Sequence, residues 1–426
     1  MCDETLILVF SGLSDARDLV RCAATCRRWR RLVSSDAPFI CRRGPPRCDR
    51  FVRRLALGAF LRGSHGGHGG FVPFMPAPLS VAALVDQGTA LDTSRVVASR
   101  NGRVVLDLRR RKSACVLRLC VCNPMTGEAD FLPPLAGKDS PGAYACALLT
   151  ADDDLHMYDG RVTSTKICSS TASYRVLLIF NHRTYTALRR YSTDDGWGPE
   201  VMVSGARIAR GRRLGMQAAH ATLVRGGEVC WHGLGIGLKL ATLQTSTPPY
   251  SVQGFESPSR AGNTVVSKVV DRLLGVMPDG RLCVLERRAD DAVLAYAVVY
   301  ADVVRDGGVS GRKVLLWILR AAQMGLRAVR LRWFCERSGV VLFTARRIGD
   351  EGGGAGKTQV YALDVQTKQV GRVDWPGDQN GEDMDVCGYE MDQVAMLAEL
   401  DRSTDLNLAR SSAGSSHSSF IYSTNT

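Results

Sequence analysis

Apolar residues near the start of the chain recur at three- and four-residue steps. Between Thr5 and Val33 they fall at Leu6, Val9, Phe10 and Leu13, then at Leu19, Val20 and Ala23, then at Cys26, Trp29, Leu32 and Val33. Each set is one face of a helix, so three short amphipathic helices are predicted. The first starts near Asp3 and Glu4, whose charges suit the positive end of a helix dipole, and Gly12 ends it. Ser14 or Asp15 caps the second, with Asp18 in its first turn. The third carries Arg27, Arg28, Arg30 and Arg31 around Trp29 and stops at Asp36-Ala37-Pro38. So short a unit cannot cover its own apolar faces and needs a partner, in cis or in trans.

Beyond it the pattern changes. Residues 39–63, FICRRGPPRCDRFVRRLALGAFLRG, are arginine-rich and broken by Pro45-Pro46. Their second half, Phe51 to Leu61, reads as a further helix, and the Gly- and Pro-rich residues 63–78 as a linker. From about residue 80, short β-branched runs alternate with turn signals. A turn glycine followed by an apolar strand recurs at Gly102, Gly160, Gly227, Gly280 and Gly339, with intervals of 58, 67, 53 and 59 residues. Such a glycine supplies positive φ in a hairpin, and the strand behind it packs inward. A repeat of ~50–60 residues is close to the long end of propeller-blade periods. The expected body is therefore a β-propeller of six or seven four-stranded blades over residues 80–402, with a large β-sandwich as the plainer alternative. Val314 to Leu331 interrupts the pattern as a helix, or as a strand and a loop. The expected division is a helical domain at 1–45, a basic helix and linker at 46–79, the β body at 80–402, and a disordered tail at 403–426 with 8 serines in 24 residues.

Composition adds bounds. A chain of 426 residues, 45% hydrophobic and 23% charged, is globular and long enough for two domains or one large repeat array. No apolar run reaches the ~18 residues of a membrane helix, and residues 5–10 follow two acids rather than a basic segment, so neither membrane span nor signal peptide is expected. Fourteen cysteines without a C-x-x-C pair read as reduced thiols, placing the protein in cytoplasm or nucleus. The net charge is +13, and residues 1–63 carry 13 Arg against 6 Asp or Glu, so about half the excess lies beside the helical unit. Basic surfaces attract nucleic acid and acidic proteins alike.

The order of residue types in the first 35 residues narrows the choice. Asp3-Glu4, the spacing Leu6, Val9, Phe10, Leu13, the step Asp18-Leu19-Val20-Arg21 and the run Cys26 to Leu32 resemble the F-box. The resemblance implies docking on a Skp-type adaptor that joins the protein to a cullin ubiquitin ligase. It implies that Leu6, Phe10, Leu13, Leu19, Val20, Cys26, Trp29 and Leu32 form the docking surface or its support. Met1-Cys2 stands where the family has Leu-Pro, which leaves two readings: a late chain start, or weaker adaptor affinity. The body resembles plant F-box-associated domains in Asn123-Pro124-Met125-Thr126-Gly127, Leu132-Pro133-Pro134-Leu135, Tyr174 to Ile179, Tyr191-Ser192, Gly196-Trp197-Gly198, Gly226 to Trp231 and Tyr389 to Asp392. Asn-Pro-x-Thr-Gly suits a tight turn, so these residues shape the fold rather than touch a target.

Catalytic patterns are missing from the sequence. Gly352 to Thr358 fails as a phosphate loop, since Glu351 stands where that motif has glycine and a strand follows. His65 and His68 with Cys41 and Cys48 fit no finger spacing. Cys120 and Cys122 alternate onto one face of a strand and read as core. Asp152-Asp153-Asp154 and Arg109-Arg110-Arg111-Lys112 read as solvated turns. No cofactor or metal is expected. The expected role is that of a non-catalytic substrate receptor in an SCF-type ligase, with a Skp-type adaptor, a cullin reached through it and a protein target as partners. The rivals are a basic module binding nucleic acid or acidic proteins, and a propeller hydrolase, for which no charged or metal-binding constellation is present.

Overall fold

The computed structural model describes residues 1–13, 16–43, 51–62, 70–74, 94–109, 116–124, 128–150, 173–182, 184–203, 222–225, 228–232, 238–244, 252–257, 269–277, 281–305, 308–349, 357–374, 384–398 and 400–401. It divides into two compact units. One joins Met1–Pro45 to Gln393–Thr426, and the other is Pro46–Asp392.

In the first unit four helices follow one another: α1 (Asp3–Ser11), α2 (Ala16–Thr25), α3 (Arg27–Ser35) and α4 (Ala37–Arg43). α1 starts at its two acids and ends at Gly12. The proposed caps of α2, Ser14 and Asp15, lie outside the described residues. Only three helices were expected, with Pro38 as a stop. α3 does end at Asp36, but Pro38 then sits in the first turn of α4, where its missing N–H breaks no hydrogen bond. α1 packs on α3 and α4, and α2 packs on α3.

The second unit is all β. In chain order its strands are β1 (Ala56–Arg62), β2 (Gly70–Pro73), β3 (Arg95–Arg100), β4 (Arg103–Asp107), β5 (Val116–Leu117), β6 (Leu119–Cys122), β7 (Ala129–Phe131), β8 (Leu135–Ala136), β9 (Tyr144–Thr150), β10 (Tyr174–Asn181), β11 (Thr186–Ser192), β12 (Gly196–Trp197) and β13 (Val201–Val203). The rest are β14 (Thr222–Arg225), β15 (Glu228–His232), β16 (Leu238–Gln244), β17 (Val252–Ser257), β18 (Val269–Val276), β19 (Leu282–Arg288), β20 (Ala292–Arg305), β21 (Gly308–Arg320), β22 (Leu326–Phe334), β23 (Val340–Arg347), β24 (Gln359–Asp364), β25 (Val370–Val373) and β26 (Asp385–Glu390).

Six strands follow one another round a ring. β26 lies against β3, β3 against β9, β9 against β14, β14 against β18, β18 against β22, and β22 against β26. A ring that returns to its start is a β-propeller. Its large sheets are β2-β1-β26, β3-β4-β6-β7, β12-β11-β10-β9 with β13, an eight-stranded sheet from β14 to β21, and β22-β23-β24-β25, and β5 pairs with β8 in a small sheet of two strands. Five blades thus stand among the described residues where six or seven were expected, and the eight-stranded one supplies two of the six strands of the ring. The meanders β14–β17 and β18–β21 share one sheet, because β17 pairs in parallel with β21 at Phe255↔Val309.

Three apolar clusters lie between adjacent sheets. One gathers Phe60, Leu106, Cys120, Cys122, Trp333, Leu342 and Tyr389 where the ring closes, and the thiols of Cys120 and Cys122 are both within it. The closing sheet pairs the first strand of the body with its last, Ala56↔Glu390 through Arg62↔Asp385. That pairing corrects the helix expected at Phe51 to Leu61. Only a short 3-10 turn, Arg53–Leu55, precedes β1, since hydrogen bonds to a strand more than 300 residues away override local helix propensity. The 46–79 segment, expected to connect the domains, therefore carries two strands of the body. Val314 to Leu331 holds the end of β21, a 3-10 turn at Ala321–Met324 and the start of β22. Arg109 is not solvated. It grips the buried Asp107 from Nη2 at 2.7 Å and Nε at 3.0 Å, and the Tyr144 hydroxyl donates to the same carboxylate at 2.7 Å. A buried carboxylate needs such partners. The segments 63–69, 110–115, 151–172, 350–356 and 402–426, with His65, His68, the glycine loop, the acidic run and the tail, lie outside the described residues, as does Cys48.

Candidate docking surface of the helical head

α1 is apolar around most of its circumference. Leu6 and Phe10, four residues apart, are buried in the head, while Leu8 and Val9 on the other side are about half exposed at 49% and 52%. A helix apolar on both sides is one that expects cover on both sides. Phe39, on α4, is also exposed. Leu13, Val20 and Trp29 are half-buried.

The eight expected docking residues therefore divide. Leu6, Phe10, Leu19 and Leu32 lie inside the head, where Ala23, Val33, Ala37 and Ile40 are also buried. Leu13, Val20 and Trp29 straddle its surface. Cys26 is exposed and caps α3, its Sγ accepting from the Trp29 backbone N–H at 3.5 Å. The Trp29 ring meets Phe10 edge to face, centroids 5.3 Å apart. Leu8 and Phe39 lay outside the one-face reading of the sequence, and Val9, which that reading grouped with Leu6 and Phe10, faces out instead. The signal for two of them was present, because the run Leu6 to Phe10 has no polar residue to mark a solvent side.

The basic residues beside this surface are largely engaged. Arg28 holds Asp3 from Nε at 2.9 Å and Nη2 at 2.6 Å, and donates to the Met1 carbonyl at 2.9 Å. Arg21 pairs with Asp18 at 2.8 Å, and Arg30 donates to the Ala23 carbonyl at 3.3 Å. At the start of α1, backbone and Cys2 hydrogen bonds hold the Glu4 carboxyl below its usual range, and burial raises the Cys22 thiol.

The body residues that carried a family look touch one another. Tyr174 stacks on Tyr191, Tyr191 meets Trp197 edge on, and Trp197 Nε1 donates to the Pro133 carbonyl at 2.7 Å. The Tyr389 hydroxyl donates to the Gly102 carbonyl at 3.1 Å, and the Glu390 carboxylate accepts the Ser338 N–H at 2.6 Å. Met125, Thr126, Gly127, Gly226 and Gly227 lie outside the described residues.

No curated protein matches the chain. Among solved structures it is similar to a variant of Aleuria aurantia lectin bound to α-methyl-L-fucoside, with 10% identity over 78% of this chain and 100% of that one and a TM-score of 0.36. It is also similar to Penicillium chrysogenum α-L-arabinanase, with 9% identity over 79% and 85% and a TM-score of 0.34. The β-propeller domain of Myceliophteria thermophila Cps50 (Swd1) gives 9% identity over 67% and 88% and a TM-score of 0.32. Scores this low carry no functional argument. A family model described as F-box-like matches residues 3–39. The helices α1 to α3, with the start of α4, are an F-box-like domain.

Proposed function

We propose that the chain is the substrate receptor of an SCF-type cullin-RING ubiquitin ligase. The head docks on a Skp-type adaptor, the adaptor reaches a cullin, and the β body holds a protein target. The observation that carries this reading is the bare outer row of α1 within an F-box-like domain: Leu8 and Val9 need a cover, and the family match supplies its kind. The target lysine would meet a ubiquitin thioester at raised effective concentration, so no residue of this chain need react. The body resembles a plant-type F-box-associated domain in the residues that bind its blades together, which suits a scaffold with target-reading loops. Cytoplasm and nucleus, where such thiols stay reduced, are the proposed compartments.

The test is capture by a purified Skp-type adaptor. Leu8→Asp with Val9→Asp places charge on an already exposed row, so the head should keep its helicity within about 0.5 kcal/mol of stability. Capture should fall at least about tenfold. A folded double variant that holds the adaptor as well as the unaltered chain sinks the assignment.

A further inference from the structure

We propose that the helical head is completed by the far end of the chain, so that docking depends on residues 393–401. This rests on the docking reading above for its consequence, not for its geometry. A short helix over 393–398 belongs to the same compact unit as α1 to α4. Met396 and Leu397 on it are buried, Leu397 completely. The Leu397 carbonyl accepts a hydrogen bond from the buried Ser34 hydroxyl at 2.9 Å, across 363 residues of sequence. Ser34 follows Leu32 and Val33 in the buried row of α3. A serine inside a helix ordinarily bonds back to its own preceding turn, and a buried hydroxyl must bond somewhere. Here the partner is a carbonyl that lies beyond the whole β body in the sequence.

The body does not call on this segment for its own closure. β1 pairs with β26, and the Met391 N–H donates to the Leu55 carbonyl at 2.8 Å, so the ring is tied before residue 393. The Ser34 bond and the shared compact unit tie 393–401 to the head. Four short helices leave more apolar surface than they can cover, and the chain's own end supplies part of that cover in cis. The outer row of α1 is left for a partner in trans. A chain broken anywhere in the body lacks the clasp, and its head is incomplete. Recruitment of the ligase is thereby tied to a finished receptor. The coupling runs both ways: a bound adaptor should also hold the clasp closed.

Three chains separate the possibilities: the whole protein, one ending at Asp401 and one ending at Asp392. Each is tested for adaptor capture and for amide hydrogen exchange. The chain ending at Asp401 should behave as the whole protein does. The chain ending at Asp392 should lose capture at least about tenfold, and exchange across α2 and α3 should speed up by a similar factor while β23 stays protected. Full-length Leu397→Asp, which keeps the chain length, should reproduce both effects. Unchanged exchange and capture in the chain ending at Asp392 and in Leu397→Asp overturn the proposal. Should the whole protein fail to capture the adaptor, the docking reading falls, and the exchange comparison alone still decides the clasp.

Discussion

The thiols of Cys120, Cys122 and Cys283 sit inside the β body. Burial pushes Cys120 up to about 11 and Cys122 and Cys283 to about 12, from an ordinary value of 9.0. In the unfolded chain they would ionise near that ordinary value. Above it the unfolded state gives up protons that the folded state keeps, so the balance moves toward unfolding. Their contribution is whole below about pH 9 and is lost as pH climbs through the range from 11 to 12. The unfolding midpoint should therefore fall steadily as pH is raised above 9; a midpoint that rises across this window would contradict the burial. The same burial predicts a division in reactivity. Exposed Cys2 and Cys26 should react with a thiol reagent in the native protein, and these three only after unfolding.

Gly339 shows how an element depends on one backbone position. It takes φ +66 in the turn before β23, and a Cβ there would lie 2.4 Å from the Phe51 ring. Phe51 in turn packs edge to face on Phe334. Gly339→Ala should cost about 2–4 kcal/mol, combining left-handed strain with an overpacked ring. Gly137 separates the two causes, since it has φ +61 and nothing within 4 Å of its Cβ position. Gly137→Ala should cost only the backbone share, about 1–2 kcal/mol. Equal losses of denaturation midpoint in the two variants would refute the steric part. This glycine was legible in the sequence because a left-handed turn is a local demand. So were the Asn101-Gly102 hairpin, with φ values of 46 and 75, and the steps of α1 to α3. β1 was not legible, because the strand that makes it a strand lies at the opposite end of the body. α4 was hidden by a proline read as a stop rather than as a first-turn residue. At the head, spacing identified the apolar residues but not which of them face inward. Leu6 and Phe10 pack inside while Leu8 and Val9 face out, and a run with no polar residue gives spacing nothing to choose by. Arg109 looked solvated because the burial of its neighbour Asp107, and the Tyr144 hydroxyl on the same carboxylate, arise only through folding.

At the scale of the whole molecule, two units of unlike construction share one chain. The body is a ring tied by its own first and last strands, and the head is a bundle assembled from both ends of the sequence. Units with separate cores melt separately unless a large interface joins them. A ligand that binds one folded unit raises the stability of that unit alone, by about 2.7 kcal/mol when its free concentration is a hundred times its Kd. Calorimetry with increasing Skp-type adaptor should therefore move one transition upward and leave the other in place. The mobile transition should be the smaller in enthalpy, since unfolding enthalpy scales with the number of residues released and the head is much the shorter unit. It should also be the one that the chain ending at Asp392 weakens. If both transitions rise together, head and body melt as one and the modular reading fails. If the larger one rises alone, the adaptor is binding the β body, and the bare row on α1 belongs to something else.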